Sequence, residues 1–233
     1  MVDGPTDQQR TIVLGRTGSG KSQFSIALLS TRNFDEMPWI IIDYKGEDLI
    51  EEILTKTKGR IKHLKPTDNV PKRAGLYYMK PMPLQDDELM EAFLWRVHKS
   101  GYCGLFIDEG YALPKGKAFD VILTQGRSLH IPVIALYQRP VYMSRFAVAQ
   151  ADFFAVFEQN DTRDLKITAQ FVKPAKGLNN ETITVFNDLP RWFCLWYNVG
   201  QGQSVVLSPA PQKDEIIKTF VNRLNVKKAR AFI

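Results

Sequence analysis

The chain has little cysteine and no long apolar run. Its 233 residues include only two cysteines, Cys103 and Cys194, and each lies in an apolar segment. Two cysteines make no disulfide framework, so we interpret them as buried free thiols in a reducing compartment. No segment reaches the roughly 18 apolar residues of a membrane span, and the N-terminal segment has neither the basic nor the apolar region of a signal peptide. We therefore expect no intrinsic membrane span and no secretion signal.

A strong charge excess and a metal-ligand spacing are also missing. Lys and Arg number 31 and Asp and Glu 25, which gives a net charge of +6. This mild excess fits a polyanionic partner but does not identify one. His63, His98 and His130 are scattered, and no Cys or His spacing predicts a zinc site. No arrangement of Ser, His and Asp is visible either, so the chemistry must lie in other motifs.

Short apolar runs alternate with amphipathic segments along most of the chain. This alternation predicts an α/β fold, with a mostly parallel central sheet covered by helices on both faces. The predicted strands are Thr11–Leu14, Trp39–Asp43, Ile61–Leu64, Leu76–Met79, Tyr102–Asp108, Ile131–Tyr137 and Asp152–Phe157. The predicted helices are Lys21–Ser30, Asp48–Lys56, Asp86–Lys99, Lys117–Ser128 and Asp161–Phe171.

The pattern changes after Gly177, where strands follow one another without helices between them. A turn at residues 200–202 predicts a C-terminal β-hairpin, and a terminal helix follows it. These elements are predicted at Thr182–Phe186, Trp192–Asn198, Ser204–Leu207 and, for the helix, Asp214–Asn225. We expect one domain over residues 1–233, with a motif-bearing core at 10–170 and the C-terminal strands and helix at 171–233.

A glycine-rich stretch follows the first strand. Residues 15–22 read Gly-Arg-Thr-Gly-Ser-Gly-Lys-Ser, which matches the Walker A pattern. Glycines let backbone N–H groups turn inward around a phosphate, and the following helix points its positive end at the same anion. Lys21 is expected to reach the β- and γ-phosphates of ATP, and Ser22 to contact Mg²⁺. The predicted nucleotide-binding residues are Gly15, Arg16, Thr17, Gly18, Ser19, Gly20, Lys21, Ser22 and Gln23.

Two adjacent carboxylates follow a later apolar strand. The segment Gly-Leu-Phe-Ile-Asp-Glu at 104–109 brings Asp108 and Glu109 to the C-terminal end of that strand, where open α/β sheets bind ligands. Asp108 suits coordination of Mg²⁺ together with Ser22, so these two residues form the predicted metal site. Glu109 is predicted to orient and polarise the attacking water. The pair favours a hydrolase, because a phosphotransferase excludes water.

A third polar strand end is Gln138, which follows the strand Ile131–Tyr137 and precedes Arg139 and Pro140. A glutamine at this place can contact the γ-phosphate or the attacking water, and so report the nucleotide state. The alternative is an ordinary polar strand terminus.

Four separated segments together resemble the FtsK–HerA superfamily of DNA-pumping ATPases. The most specific is 126–140, where a helix-ending Gly-Arg leads into a strand closed by Gln-Arg-Pro. The other three are 15–22, the segment Ile-Ile-Ile-Asp-Tyr-Lys-Gly-Glu at 40–47, and Leu-Phe-Ile-Asp-Glu at 105–109. The resemblance covers roughly residues 10–170, and no motif of the family matches the C-terminal strands.

The resemblance implies a RecA-like fold, a homo-oligomeric ring that is commonly a hexamer, and translocation of double-stranded DNA coupled to ATP hydrolysis. We expect the chain to lack the anchor and extra domains of cellular members. It therefore looks most similar to the genome-packaging ATPases of membrane-containing icosahedral viruses, which fill a preformed procapsid. This implies vertex or portal proteins as partners, and a location at a virion vertex or in the host cytoplasm.

Ring ATPases of this kind usually need an arginine from the neighbouring subunit near the γ-phosphate. The candidates are Arg127, Arg139 and Arg163, of which we favour Arg127 because it ends the helix before the Gln138 strand. An ordinary surface or salt-bridging role is the alternative for each of them.

Two basic segments are candidates for contact with DNA phosphates, which a translocase meets without reading sequence. They are Lys65–Lys80, which also carries Tyr77 and Tyr78, and Lys173–Lys176. The alternative for both is a solvated basic loop. The aromatic run at 192–197 is interpreted as core packing with both faces buried, and the alternative is a platform on which bases stack.

Other classes of protein remain open from the sequence. One is a P-loop phosphotransferase, against which Glu109 and the absence of a visible acceptor lid both count. Another is an anchorless assembly ATPase of the conjugation or filamentous-phage type. Phosphate release that rises with long duplex DNA and needs no small acceptor separates a DNA motor from a phosphotransferase.

Overall fold

The computed structural model describes residues 4–173 and 189–230, and the side chains of the last helix as far as residue 225. The predicted strand Thr182–Phe186 therefore lies outside the described residues. The strands are β1 Arg10–Leu14, β2 Pro38–Asp43, β3 Lys62–His63, β4 Gly75–Met79, β5 Gly104–Asp108, β6 Val133–Tyr137, β7 Phe153–Val156, β8 Cys194–Asn198 and β9 Gln203–Leu207. The helices are α1 Lys21–Ser30, α2 Asp48–Lys56, α3 Asp87–Ser100, α4 Ala118–Gln125, α5 Arg145–Gln150, α6 Thr162–Thr168 and α7 Lys213–Arg230.

In the described part of the chain the strands form one sheet in the order β3-β4-β2-β5-β6-β1-β7-β8-β9. The pairs from β3 to β7 are parallel, and β8 and β9 continue the sheet in antiparallel register. This confirms the predicted α/β class, with a mostly parallel sheet, a C-terminal hairpin and a final helix. Because β1 lies between β6 and β7, the loop that follows β1 emerges near the middle of the sheet.

Both faces of the sheet are buried, which explains the continuous apolar runs in the sequence. Alternate residues of each strand point to opposite faces. Ile40 and Ile42 of β2 pack with Phe93 and Leu94 of α3 on one face. Trp39 and its neighbours pack with α1, α2 and α7 on the other face. The two cysteines are buried free thiols, as expected.

Several predicted boundaries move. β5 begins at Gly104 rather than at Tyr102, because Tyr102 has a φ of +50°, in the left-handed region. β6 begins at Val133, two residues after the predicted start. α4 ends at Gln125, three residues before the predicted end, and residue 126 must be glycine because a Cβ there would come 2.3 Å from the carbonyl oxygen of Ile122. α5 was not predicted, because its six residues are too short to show a helical period.

No helix within residues 4–173 and 189–230 is long and apolar enough to cross a membrane.

Candidate nucleotide-hydrolysis site

The loop at residues 15–20, called here the phosphate loop, joins β1 to α1. Gly18 and Gly20 have φ of +79° and +95°, which L side chains rarely adopt. Gly15 has no room for a side chain, since a Cβ there would lie 2.6 Å from the Cβ of Phe157. Glycine is therefore required at all three positions, for its backbone conformation at Gly18 and Gly20 and for lack of space at Gly15. The loop ends at Gly20, directly before the amino end of α1, where unpaired N–H groups and the helix dipole attract an anion.

Both neighbouring strands hold the phosphate loop in place. The N–H of Gly15 donates to the carbonyl of Tyr137 at the end of β6, and the N–H of Arg16 donates to the carbonyl of Glu158 after β7. The Arg16 guanidinium also donates to both carboxylate oxygens of Glu158, at 2.9 and 2.8 Å. Arg16 thus has a role in fixing the loop, while its exposed position keeps it on the rim of the cleft.

Lys21 is the first residue of α1 and is only 5% exposed. Burial lowers the pKa of its ammonium group, and the nearby carboxylates of Glu109 and Asp108 counteract this effect. A buried ammonium that faces two carboxylates and lines the cleft beside the phosphate loop is poised to receive a further anion. The hydroxyl of Ser19 is also buried in this loop and makes no hydrogen bond within the described residues.

The two predicted carboxylates follow β5, beside the end of β2. Asp108 pairs in register with Asp43 of β2, and both are fully or almost fully buried. Burial raises the pKa of Asp108 to about 7, opposed by the charge of Lys21 and reinforced by Glu109. One oxygen of each of Asp108 and Glu109 is buried and unpaired within the described residues. Unpaired buried oxygens of this kind mark a place where a ligand or ion completes the bonding.

Glu109 has an unusual backbone conformation. Its φ and ψ are +63° and +66°, the left-handed region, which costs a residue with a side chain of the order of 1 kcal/mol or more. The next residue, Gly110, passes so close to the ring of Tyr137 that a Cβ there would lie 2.5 Å from it. The tight turn after β5 therefore sets the direction in which the Glu109 carboxylate leaves the strand.

Gln138 lies at the end of β6, between the phosphate loop and Glu109. Its amide Nε2 donates a 2.6 Å hydrogen bond to Oε1 of Glu109. Gln138 also lines two adjoining clefts. The first, of about 390 Å³, runs along the phosphate loop, and the second, of about 690 Å³, runs past Glu109, Tyr111 and Leu84. The sequence predicted Gln138 near the γ-phosphate or water, but the contact with Glu109 was not foreseen.

Four of the predicted residues therefore meet at the carboxyl edge of the sheet: Lys21, Asp108, Glu109 and Gln138. Ser22 and Gln23 line the same cleft on the first turn of α1. Arg127 does not join them, because it follows α4 and precedes β6 at the opposite, amino edge. It is exposed there, and within the described residues no carboxylate forms an ion pair with it.

The other two arginine candidates differ from each other. Arg139 is held in its own subunit, since its guanidinium donates to Asp164 at 2.7 Å and to Asp161 at 2.8 Å. The side chain of Arg163 is exposed at the start of α6. Arg139 is thus already neutralised by two carboxylates, whereas Arg127 and Arg163 reach solvent.

Some site features were missed or wrongly interpreted from the sequence. Asp43 caps the turn after β2 by accepting hydrogen bonds from the N–H groups of residues 45–47, with a shortest distance of 2.7 Å to Gly46. The following Lys45 lines both clefts. The Asp-x-x-Gly spacing was the available signal for this turn.

Two aromatic interpretations are corrected. Trp192 is 48% exposed, so the expected core packing holds for residues 194–197 but not for Trp192. Tyr77 and Tyr78 are buried in β4, which removes them as aromatic partners of DNA in the segment Lys65–Lys80.

The basic residues of the segment Lys65–Lys80 are exposed. Of the second basic segment only Lys173 lies within the described residues.

The fold and this set of residues define a P-loop nucleoside triphosphatase. No family model matches the chain. It is 36% identical to the DNA packaging ATPase P9 of Enterobacteria phage PRD1 over 218 residues, which span 93% of each protein. The chain therefore belongs to the family of viral DNA packaging ATPases.

Solved structures agree with this fold. The genome packaging NTPase B204 of Sulfolobus turreted icosahedral virus 2, in complex with AMP, matches 88% of this chain and 99% of its own with a TM-score of 0.65 at 19% identity. VirB4 of Thermoanaerobacter pseudethanolicus matches 92% and 93%, with a TM-score of 0.61 at 13% identity. Both similarities concern the fold alone, and they agree with the predicted α/β architecture.

Proposed function

We propose that this chain hydrolyses ATP to drive double-stranded DNA into a viral procapsid. The observation that carries the proposal is the convergence of Lys21, Asp108, Glu109 and Gln138 at one sheet edge, with buried carboxylate oxygens left unpaired. Membership of the DNA packaging ATPase family supports the same activity. The whole chain, residues 1–233, acts as one ATPase domain in this proposal.

Mg²⁺ fits the residues that line the site. The unpaired Oδ2 of Asp108 is a hard oxygen ligand, and the hydroxyl of Ser22 lies on the first turn of α1 beside the phosphate loop. The described residues contain no cluster of three or more His, Cys, Asp or Glu side chains that would hold a metal alone. This fits an ion that Ser22 and Asp108 hold jointly with the phosphates, and that neutralises phosphate charge when bound.

The side chains of the site have separate roles in hydrolysis. Residues 15–23 bind the triphosphate, with Lys21 at its β- and γ-phosphates. Glu109 accepts a proton from the attacking water, and Gln138 holds the Glu109 carboxylate in its direction through the 2.6 Å hydrogen bond. A γ-phosphate beside Gln138 competes for the same amide, so this residue links the state of the nucleotide to the position of Glu109.

A ring, which we propose to be a hexamer, completes the site. Arg127 lies at the edge of the sheet opposite its own nucleotide cleft, and in this proposal it serves the cleft of a neighbouring subunit. The second cleft, of about 690 Å³, opens beside Glu109, and an arginine side chain of a neighbouring subunit could reach the nucleotide site through it. A guanidinium there stabilises charge on the γ-phosphate in the transition state.

The partners in this proposal are duplex DNA and proteins of the procapsid vertex or portal. The exposed basic residues of the segment Lys65–Lys80, and Lys173 in the second basic segment, are the proposed contacts with DNA phosphates. The protein acts at the virion vertex or in the host cytoplasm.

The first test measures phosphate release by the purified protein with and without long duplex DNA, beside a determination of its mass in solution. We expect hydrolysis that needs Mg²⁺, rises several-fold with DNA, and disappears in Lys21→Ala. The matched control is Lys99→Ala, an exposed lysine at the end of α3. Hydrolysis that ignores DNA and needs a small phosphate acceptor contradicts the motor and favours a phosphotransferase.

A second test concerns Arg127. Arg127→Ala should bind ATP normally, and lower the ring-dependent turnover by about a thousand-fold, the usual scale for an arginine supplied in trans. Mixing it with Glu109→Gln subunits should restore part of the activity, because mixed rings contain interfaces where both groups are intact. Full turnover by Arg127→Ala rules out this residue and leaves Arg163 as the exposed alternative.

A further inference from the structure

The nucleotide cleft extends beyond the phosphate loop, into a part of the fold that has no Walker motif. β8 runs antiparallel to β7, so the residues just before β8 return to the carboxyl edge of the sheet. The segment after β9 ends at the same edge, because Leu207 pairs with Cys194. The cleft of about 390 Å³ is accordingly lined by Trp192 and by Pro209, Ala210, Gln212 and Lys213, as well as by the phosphate loop.

Trp192 has three properties that packing alone does not explain. Its side chain is 48% exposed, although it sits beside a buried strand. Its φ is +68°, which is rare and strained for a bulky residue. It also stands next to the phosphate loop, where a Cβ added to Gly20 would lie 3.4 Å from Cδ1 of the indole. The structure therefore holds an exposed aromatic ring in a costly conformation at the edge of the cleft.

The ring also has a fixed neighbour outside the cleft. The guanidinium carbon of Arg191 lies 4.6 Å from the centre of the Trp192 ring, a cation–π contact. Trp192 lines the cleft and Arg191 does not. The contact with Arg191 restrains the indole, and the indole still lines the cleft.

The segment 209–213, which lines the same cleft, is fixed to α1. Nε2 of Gln23 donates a 2.7 Å hydrogen bond to the carbonyl oxygen of Pro211. Gln23 was predicted to contact the nucleotide, but this bond gives it a second task, which is to hold the segment 209–213 at the side of the cleft. Pro209 and Pro211 restrict the backbone there. A hydrogen bond and two prolines thus restrain this segment beside the cleft.

We propose that Trp192 and the segment 209–213 form the base-binding end of the nucleotide cleft. The purine ring of the nucleoside triphosphate stacks on the indole of Trp192, and Pro209 and Ala210 cover its other side. The proposal rests on the proposed ATPase function and adds the group that recognises the base. Stacking uses the face of the ring, which all purines share, so it contributes affinity for the base more than a choice between adenine and guanine.

The test compares ligands that have and lack a base. Binding of ATP and of inorganic tripolyphosphate is measured by calorimetry for the wild type, Trp192→Ala and Trp192→Phe. We expect Trp192→Ala to weaken ATP binding about ten-fold, the scale of one base–aromatic stack, with tripolyphosphate binding unchanged. Trp192→Phe should restore most of the ATP affinity. The matched control is Trp95→Ala, a 41% exposed tryptophan on α3.

The outcomes separate the base site from the ATPase proposal. An equal loss of ATP and tripolyphosphate binding in Trp192→Ala overturns the proposal, because Trp192 then only supports the phosphate loop. So does unchanged ATP binding. Melting temperatures of the variants near that of the wild type show that the fold is intact. Wild-type protein that binds ATP through Trp192 but releases no phosphate with DNA contradicts the ATPase proposal alone.

Discussion

Two groups of buried charges lie at opposite edges of the same sheet, and they are bonded very differently. At the amino edge, Arg10 is 5% exposed and its guanidinium donates to Asp152 at 2.9 Å and to the carbonyl of Leu123 at 2.8 Å. At the carboxyl edge, Lys21 is buried beside Asp108 and Glu109, and each of these carboxylates keeps an unpaired buried oxygen.

The difference separates a structural role from a functional one. The Arg10–Asp152 pair joins β1 to the residue before β7, and Oδ2 of Asp152 also accepts the backbone N–H of Arg10 at 2.8 Å. Within the described residues this pair leaves no buried polar atom without a partner. At the carboxyl edge, the carboxylates of Asp108 and Glu109 are buried although their hydrogen bonding is incomplete, which lowers the stability of the protein. Such an arrangement suits a site in which a bound ion and phosphates complete the bonding.

The largest expected effect is on catalysis at the carboxyl edge. Glu109→Gln keeps the size of the side chain but cannot accept the proton of the attacking water, so we expect turnover to fall by about a hundred-fold or more. ATP binding, measured with a fluorescent ATP analogue, should stay near that of the wild type. Glu88→Gln, an exposed glutamate on α3, is the control. Robust hydrolysis by Glu109→Gln contradicts the assignment of this residue to the water.

The next largest effect is on stability at the amino edge. Asp152→Ala leaves the buried guanidinium of Arg10 without its partner, so we expect a loss of about 3 kcal/mol in the free energy of unfolding. For a chain of this size that lowers Tm by roughly 10 °C. Turnover per folded molecule should remain, because Asp152 lies at the edge away from the nucleotide cleft.

A surface ion pair provides the control for this stability measurement. Asp35 accepts from Arg223 at 2.7 Å, and its side chain is 48% exposed. Asp35→Ala should therefore cost less than about 1 kcal/mol. If Asp152→Ala were as stable as Asp35→Ala, the amino-edge pair would not have the structural role assigned to it.

The last expected effect, comparable in size, is the pH dependence of stability that Asp108 imposes. Its pKa is about 7 in the folded protein and 3.8 in the unfolded chain. Between these values the folded state binds the proton more tightly, so the free energy of unfolding decreases as pH rises from about 4 to 7 and the penalty is complete above pH 7. Asp108→Asn removes this carboxylate. A pKa shift of this size corresponds to about 4 kcal/mol. Without nucleotide, the variant should therefore melt roughly 10 °C above the wild type at pH 8.

Lowering the pH should make that difference in Tm shrink, and near pH 4 the two proteins should melt together. Adding Mg²⁺ and ATP at pH 8 should reverse the order, because only the wild type has the carboxylate that holds the ion. If the wild type melted above Asp108→Asn at pH 8 without nucleotide, the charge of Asp108 would not destabilise the nucleotide-free protein.

The sequence predicts the parts of this molecule that depend on local patterns. The phosphate loop needs glycines at fixed places before a lysine, and buried parallel strands need continuous apolar runs, so both are visible in the order of residues. Asp108, Glu109 and Gln138 follow such strands, and the rule that ligands bind at the carboxyl edge brings them together. The α/β class, the hairpin and the family were therefore predictable.

Contacts that depend on the position of distant elements were not predictable. Trp192 is one residue of an apolar aromatic run, and only the pairing of β8 with β7 moves it to the nucleotide cleft. The bond from Gln138 to Glu109 depends on the left-handed conformation of Glu109, which no propensity of glutamate favours. The burial of Tyr77 and Tyr78 likewise follows from the place of β4 inside the sheet, between β3 and β2.

The central place of β1 also governs when the molecule can first bind its ligand. Arg10 of β1 pairs with Val133 of β6, and Thr11 pairs with Phe153 of β7. The phosphate loop is therefore synthesised before the strands that support it on either side, which follow it by more than a hundred residues. Contacts between such distant segments form slowly. A nascent chain thus carries its phosphate-binding residues without a site until β6 and β7 have been made, and nucleotide can stabilise the fold only after that point.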